Sequence, residues 1–284
     1  MKKTLLAISL ILLIGIASGC LGGSSPTKTT SMKATTTSTS QVTTPSTTAR
    51  TTTTSAPDPL QPIRDSLDGI SRYTYEGNIS IHMNITVLVS NLTQNNPVAL
   101  FMHERGYIDL SSREAMINTT TLSEPGNTTV RTIKVIKNGK TYLKTVLGPG
   151  MTSFNVTDNV STFVWDYTPL SLAKRYINET PDRVIKNGKT TELVYTLTWQ
   201  DIKTLTTPYL AVTPDTGIEV KGGRLILTFK GDELTGVKVE YSVLATSIVT
   251  DPTLGQMTVK ISAKGSSTYR ITSINKKMNV EPPT

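Results

Sequence analysis

With 284 residues, 37% of them hydrophobic, a single cysteine and a formal net charge of +8, the chain is long enough to bury a sizeable core and cannot close an intramolecular disulfide. The charge suggests a nucleic-acid binder, but its location argues against one. Lys2, Lys3, Lys28, Lys33 and Arg50 all precede residue 58, in a stretch without acids; the other 24 basic residues face 21 acidic ones, with no Lys/Arg run interleaved with aromatics.

In chain order, Lys2 and Lys3 are followed by an apolar run from Leu5 to Ala17, shorter than the ~20 residues of a spanning helix, so residues 1–19 are predicted to be a signal peptide. The stretch Ala17-Ser18-Gly19-Cys20 resembles the lipobox of bacterial and archaeal lipoproteins, with Ala17 where that family most often has Leu. The resemblance implies lipid attachment at Cys20, with two chains for stable anchoring, and an extracytoplasmic, membrane-tethered protein facing outside. Residues 20–57 form the next segment. More than half of 21–57 is Thr or Ser, with no aromatic residue and no acid, so the segment cannot bury enough apolar surface to order itself. It reads as a disordered stalk, O-glycosylated or plain, that lifts residues 58–284 from the membrane.

Residues 58–284 are expected to open with a helix capped by Asp58, with Pro59 at its first position and Leu60, Ile63, Leu67 and Ile70 at helical spacing. From Tyr73 to Val89 the period becomes two, with apolar residues at odd positions and polar ones between. Further strands are predicted near 98–109, 113–122, 128–137, 140–147, 182–186 and 189–198. Asn138-Gly139 and Asn187-Gly188 supply hairpin turns, each within Lys-Asn-Gly-Lys. A second helix is expected over 169–177, with Thr168 capping and Pro169 first. After it, alternation resumes through Leu225, Leu227 and Phe229, then Val237, Val239, Tyr241 and Val243, and on to Met257, Val259, Ile261, Tyr269 and Ile271. The fold class is therefore mainly β: a curved antiparallel sheet of about ten strands, a half-barrel with two or three helices on its concave face. Ten strands make a sheet nearly 50 Å wide and a helix covers ~10–12 Å of it, so much of the apolar face needs another cover.

Motifs for catalysis are missing. His82 and His103 sit in no metal-ligand pattern, and no nucleophile elbow, dinucleotide fingerprint or phosphate-binding loop occurs, so the chain reads as a non-enzyme with no catalytic residue, metal or cofactor assigned. Eight Asn-x-Ser/Thr sequons are candidate glycosylation sites: Asn78, Asn84, Asn91, Asn118, Asn127, Asn155, Asn159 and Asn178. Coincidence in a Thr-rich chain is the alternative. Trp165 and Trp199 either pack a helix on the sheet or flank a ligand entrance.

The helix before a long first strand, the turn Asn138-Gly-Lys-Thr-Tyr142, the Pro-led second helix, Tyr269-Arg-Ile-Thr-Ser-Ile-Asn275 and the Val280-Glu-Pro-Pro end together resemble the lipoprotein carriers of the LolA and LppX type. That resemblance implies a half-barrel with an apolar cavity for acyl chains. The cavity candidates are Ile79, Ile81, Met83, Ile85 and Val87 of the first strand, with Leu225, Leu227, Phe229, Val239 and Tyr241. The expected function is binding or carrying a lipid or other apolar ligand, with the membrane as partner through the anchor. The alternatives are a sensory or protein-interaction module and a structural surface glycoprotein; a hydrolase ranks last.

Overall fold

The computed structural model describes residues 58–89, 92–148, 150–160, 162–210, 216–251 and 255–283. The signal and stalk (1–57), with Cys20, and the sequon at Asn91 lie outside the described residues.

One antiparallel sheet of eleven strands carries the fold, and it is not closed into a barrel. Strands β1 (Arg72–Val89) and β2 (Leu92–Asp109) pair along their whole lengths. On one side the sheet continues through β3 (Glu114–Glu124), β4 (Thr128–Lys137), β5 (Lys140–Leu147) and β6 (Met151–Thr157). On the other side β1 pairs with β11 (Gly255–Ile274), followed by β10 (Glu233–Asp251), β9 (Gly217–Lys230), β8 (Thr190–Thr196) and β7 (Arg183–Asn187). Every neighbouring pair is antiparallel, including β1–β11 and β8–β9, which no hairpin turn joins. The first and last long strands, β1 and β11, meet in the middle, and β6 and β7 are the free edges.

The described residues contain four short helices, α1 (Gln61–Asp68), α2 (Phe163–Asp166), α3 (Pro169–Tyr176) and α4 (Trp199–Thr206), and a 3-10 turn at Thr207–Tyr209. Helices α1 and α3 pack against β10, and α4 against β9. Ile63 and Leu67, Leu170, Leu172 and Tyr176, and Ile202 enter one continuous buried core with the facing strand residues. We call this the helix-bearing face. The odd residues of β1 lie on it, because period-two alternation sends alternate side chains to opposite faces.

The two Lys-Asn-Gly-Lys tetrapeptides turn differently. In the first, Lys137 pairs with Lys140, and Asn138 and Gly139 both have positive φ (53° and 71°), the signature of a type I′ turn. In the second, Asn187 pairs with Thr190, which leaves Gly188 (φ 59°) and Lys189 as the central residues. Gly first with a positive φ fits type II′. Identical local sequence thus sets the hairpin but not its register.

Three expectations need correction. The first helix begins at Gln61 rather than Pro59: Asp58 accepts the Leu60 N–H (2.9 Å) and pairs with Arg64, so it caps a turn one step earlier. Strand β6 was not anticipated, because six of its seven residues are exposed and no buried period marks it. Helix α4 begins directly after the strand expected near 189–198, in a stretch to which the sequence reading assigns no element. Its N-cap Thr198 accepts the Asp201 N–H (3.1 Å), and the buried Asp201 carboxylate accepts from Arg175 (2.8 Å), Thr198 (2.7 Å) and Tyr176, which fixes the turn. Beside that carboxylate the Tyr176 phenol, desolvated first and then hydrogen-bonded to Asp201, is pushed up to about 12.

Candidate functional site

All ten residues expected to line a cavity lie in the core of the helix-bearing face. Ile79, Ile81, Met83, Ile85 and Val87 share it with Leu225, Leu227, Phe229, Val239 and Tyr241, and none is more than 7% exposed. The register brings them together. Ile79 stands beside Ser267 and then Val239 and Leu225, whereas Ile81 stands beside Gly265 and then Tyr241.

Tyrosine rings tile this face by lying over glycines on the neighbouring strand. Tyr75 covers Gly106, Tyr269 covers Gly77 and Tyr241 covers Gly265, each across a direct register pair. A Cβ at Gly106 would stand 2.2 Å from Tyr75 Cε1, and one at Gly265 would stand 2.1 Å from Tyr241 Cζ. Glycine inside a strand weakens it, but here it lets a ring lie flat and fill the inner surface. Tyr73 stacks on Tyr75 (5.8 Å), and Tyr269 meets Tyr75 edge-on (5.7 Å).

Across the middle of the sheet the helix-bearing face changes chemistry. One cross-strand row reads Glu104, Thr119, Thr132, Thr145 and Ser153 from β2 out to β6. In the other direction, past Gly77, it reads Tyr269, Val237, Leu227 and Leu193. Along this row hydroxyls stand on one side of Gly77 and apolar side chains on the other. Among the described inward positions of β1 to β6, Glu104 and Lys134 are the only charged residues. Tyr75 donates to Glu104 Oε1 (2.8 Å) and Thr119 to Oε2 (3.3 Å). Desolvation raises the Glu104 pKa, while those hydrogen bonds and the Lys134 charge pull it back only in part. Between the hydroxyls sit Ile117, Leu143 and Leu147, half-buried, and Met151, exposed on the edge strand.

Neither the acid nor the hydroxyl row was singled out from sequence. Glu104 interrupts an apolar alternation, Val98, Leu100 and Met102, and such a break was the available signal.

The opposite face carries a groove of about 510 Å³ across β11, β1, β2, β3 and β4, among whose lining residues are Asn78, Ser80, Phe101, His103 and Leu122. His103 Nδ1 lies 3.1 Å from Asn78 Oδ1, and His82 packs edge-on against Phe101 at 5.6 Å. Both histidines are exposed. All seven described sequon asparagines, Asn78, Asn84, Asn118, Asn127, Asn155, Asn159 and Asn178, are exposed too. Trp165 is buried in α2 under the Arg113 guanidinium, whereas Trp199 is 62% exposed at the start of α4. Among the described residues no group of three His, Cys, Asp or Glu converges, and no helix is long and apolar enough to cross a membrane.

No protein-family model matches the chain, and no curated protein matches it. Solved structures with some likeness include a protein of Brucella abortus described as a β-barrel-like protein of the domain of unknown function DUF1849. It is 9% identical over 72% of this chain and 100% of its own, with a TM-score of 0.24. The ywiB protein of Bacillus subtilis is 8% identical over 70% of this chain and 94% of its own, with a TM-score of 0.19. Ail, the attachment invasion locus protein of Yersinia pestis, solved with the heparin analogue sucrose octasulfate, is 10% identical over 69% and 98%, with a TM-score of 0.15. Likeness at this level carries no argument about activity.

Proposed function

We propose that the chain is a cell-surface lipoprotein, tethered through Cys20 and raised on its Thr/Ser-rich stalk, whose β domain binds or carries an apolar or amphipathic ligand without catalysis. The resemblance to LolA/LppX-type carriers supports this reading. The observation that carries it is the unevenly covered helix-bearing face. Helices pack on β9 and β10, while Ile117, Leu143, Leu147 and Met151, on the β3–β6 side of the same face, keep part of their apolar surface exposed. An acyl chain laid there removes that surface from water, and the adjoining Thr row accommodates a polar head.

The test is native mass spectrometry and organic extraction of protein purified from its own membrane, with uptake of a fluorescent fatty acid by the wild type and by Leu143→Ser/Leu147→Ser. Co-purified lipid and uptake weakened about tenfold in the double variant are expected, the loss of two leucine contacts being worth at least that. No lipid and no uptake would sink the proposal. The competing reading is a structural surface glycoprotein. It is favoured by the full burial of the ten central residues and by the exposure of every described sequon asparagine. Replacing Cys20 by Ser tests the tether separately: release of the protein from the membrane fraction is expected, and unchanged retention overturns the anchor.

A further inference from the structure

The groove on the outer face has a chemistry of its own, unconnected with the acyl-chain reading of the opposite face. Its walls carry the hydroxyls of Ser80, Thr120, Thr129, Ser266 and Thr268 and the amide of Asn78. Phe101, 37% exposed, and Leu122 give it an apolar platform. No Lys, Arg, Asp or Glu lines it among the described residues; on the same face nearby Arg105 and Arg270 each pair with Glu76, and Arg131 stands across from Thr120 in the register.

Each feature narrows the ligand. Without a lysine or arginine in its lining the groove offers a phosphate or sulfate no ammonium or guanidinium group, and it offers an amine no carboxylate. A lipid tail would strip water from five hydroxyls and an amide and return no hydrogen bonds. A sugar has the matching surface: a C–H face that packs on an aromatic ring and a rim of hydroxyls that both donate and accept, as Ser, Thr and Asn side chains do. The volume, about 510 Å³, lies within the ~300–1,000 Å³ range of small-molecule clefts.

We infer that this outer groove is a seat for a neutral oligosaccharide, with Phe101 as the stacking platform and the Asn78–His103 pair at its wall. Asn78 is itself the acceptor of the sequon Asn78-Ile-Ser80, so the saccharide has two sources: a glycan attached at Asn78, or a polysaccharide from outside the molecule.

The experiment uses the full chain in detergent, made in cells that do not N-glycosylate, with mannohexaose, maltohexaose and chitohexaose as probes. Saturation-transfer NMR detects contact and calorimetry gives affinity. Binding of at least one hexasaccharide is expected, weakened tenfold or more by Phe101→Ala. Ser266→Lys, which places a charged side chain in the groove without removing core, should block it as well, with the melting temperature of each variant close to wild type. Chain isolated from its own cells identifies the source. A glycan mass at Asn78, with probe binding present in the unglycosylated chain but absent in the chain from its own cells, assigns the groove to the attached glycan. An unmodified Asn78 with binding retained assigns it to an external saccharide. No saturation transfer from any of the three probes, or wild-type affinity in both variants, overturns the inference.

Discussion

Gly106 illustrates how a residue without a side chain shapes this sheet. The Tyr75 ring rests on it and cannot swing away, because its hydroxyl is held at 2.8 Å by Glu104. Gly106→Ala is therefore expected to cost about 1–3 kcal/mol in denaturant unfolding, an overpacking penalty. Gly217→Ala, where the nearest atom to the new Cβ is a carbonyl oxygen at 3.8 Å, should stay within about 0.5 kcal/mol. Equal effects at the two sites would refute the ring-over-glycine account. Glu104 makes a pH prediction. Its folded pKa is raised above the ordinary 4.5, so the stability it contributes is full below that value and is lost as pH rises through the folded one. Glu104→Gln removes this loss. The variant should gain stability relative to wild type between pH 4 and pH 8, and a difference that stays flat with pH would show that the carboxyl is not desolvated. From sequence, the ten core residues of the helix-bearing face were legible because alternation alone assigns them to one side. Glu104 was not, since only cross-strand register reveals that Tyr75, Thr119 and Lys134 converge on it.

At the scale of elements, two helices show opposite degrees of legibility. The start of α3 follows from Thr168-Pro169, where an extended residue precedes a proline suited to the first turn. Helix α4 has a comparable signal in Thr198-Trp-Gln-Asp201, but the strand expected near 189–198 runs straight up to it, and the sequence reading assigns no helix there. What separates them is Asp201, whose carboxylate is buried against Arg175 and Tyr176 from α3. Thr198→Ala removes the cap and is expected to cost about 1 kcal/mol by thermal or denaturant melts. Asp201→Asn keeps part of the cap but gives up the charge that Arg175 and Tyr176 share. It should therefore cost more than Thr198→Ala; the reverse order would show that capping, not the α3–α4 link, sets this helix. Of the two edge strands, β7 is legible only as a hairpin partner and β6 is not legible at all. With exposed apolar residues such as Phe154 and Val184 among polar ones, they have no buried face to impose a register.

For the whole molecule, the two ends of the sheet's sequence are tied together. Asn275 accepts the Ser71 N–H at 2.9 Å and donates to Gly69 O at 2.9 Å, which joins the end of β11 to the end of α1. Beyond it the C-terminal segment lies on the outer face. There Val280, 1% exposed, forms a second small core with Tyr107 and Val135, and Lys137 donates to Val280 O at 2.7 Å. Val280→Asp is expected to lower stability by about 2–3 kcal/mol through burial of an unpaired charge, measured by the denaturation midpoint; a neutral effect would mean the segment is dispensable. Such a tail cannot be read from its own residues. Val280-Glu-Pro-Pro has no period, and its burial depends on Tyr107 and Val135, strand residues that face away from the main core.

The amino-acid sequence by itself determined which stretches alternate, where the strong turns fall and hence that the chain makes one large antiparallel sheet with few helices, because side-chain period and turn chemistry are local properties. By the same alternation it put the sequon asparagines Asn78 and Asn84 on the polar side of the first strand. Only the tertiary structure decided that β1 and β11 close the centre of the sheet, that a row of hydroxyls crosses one half of the helix-bearing face, and that a groove lined by no Lys, Arg, Asp or Glu opens on the reverse side. Those features arise from strand order and register between residues as far apart as Tyr73 and Ile274, and no local pattern encodes a pairing at that separation.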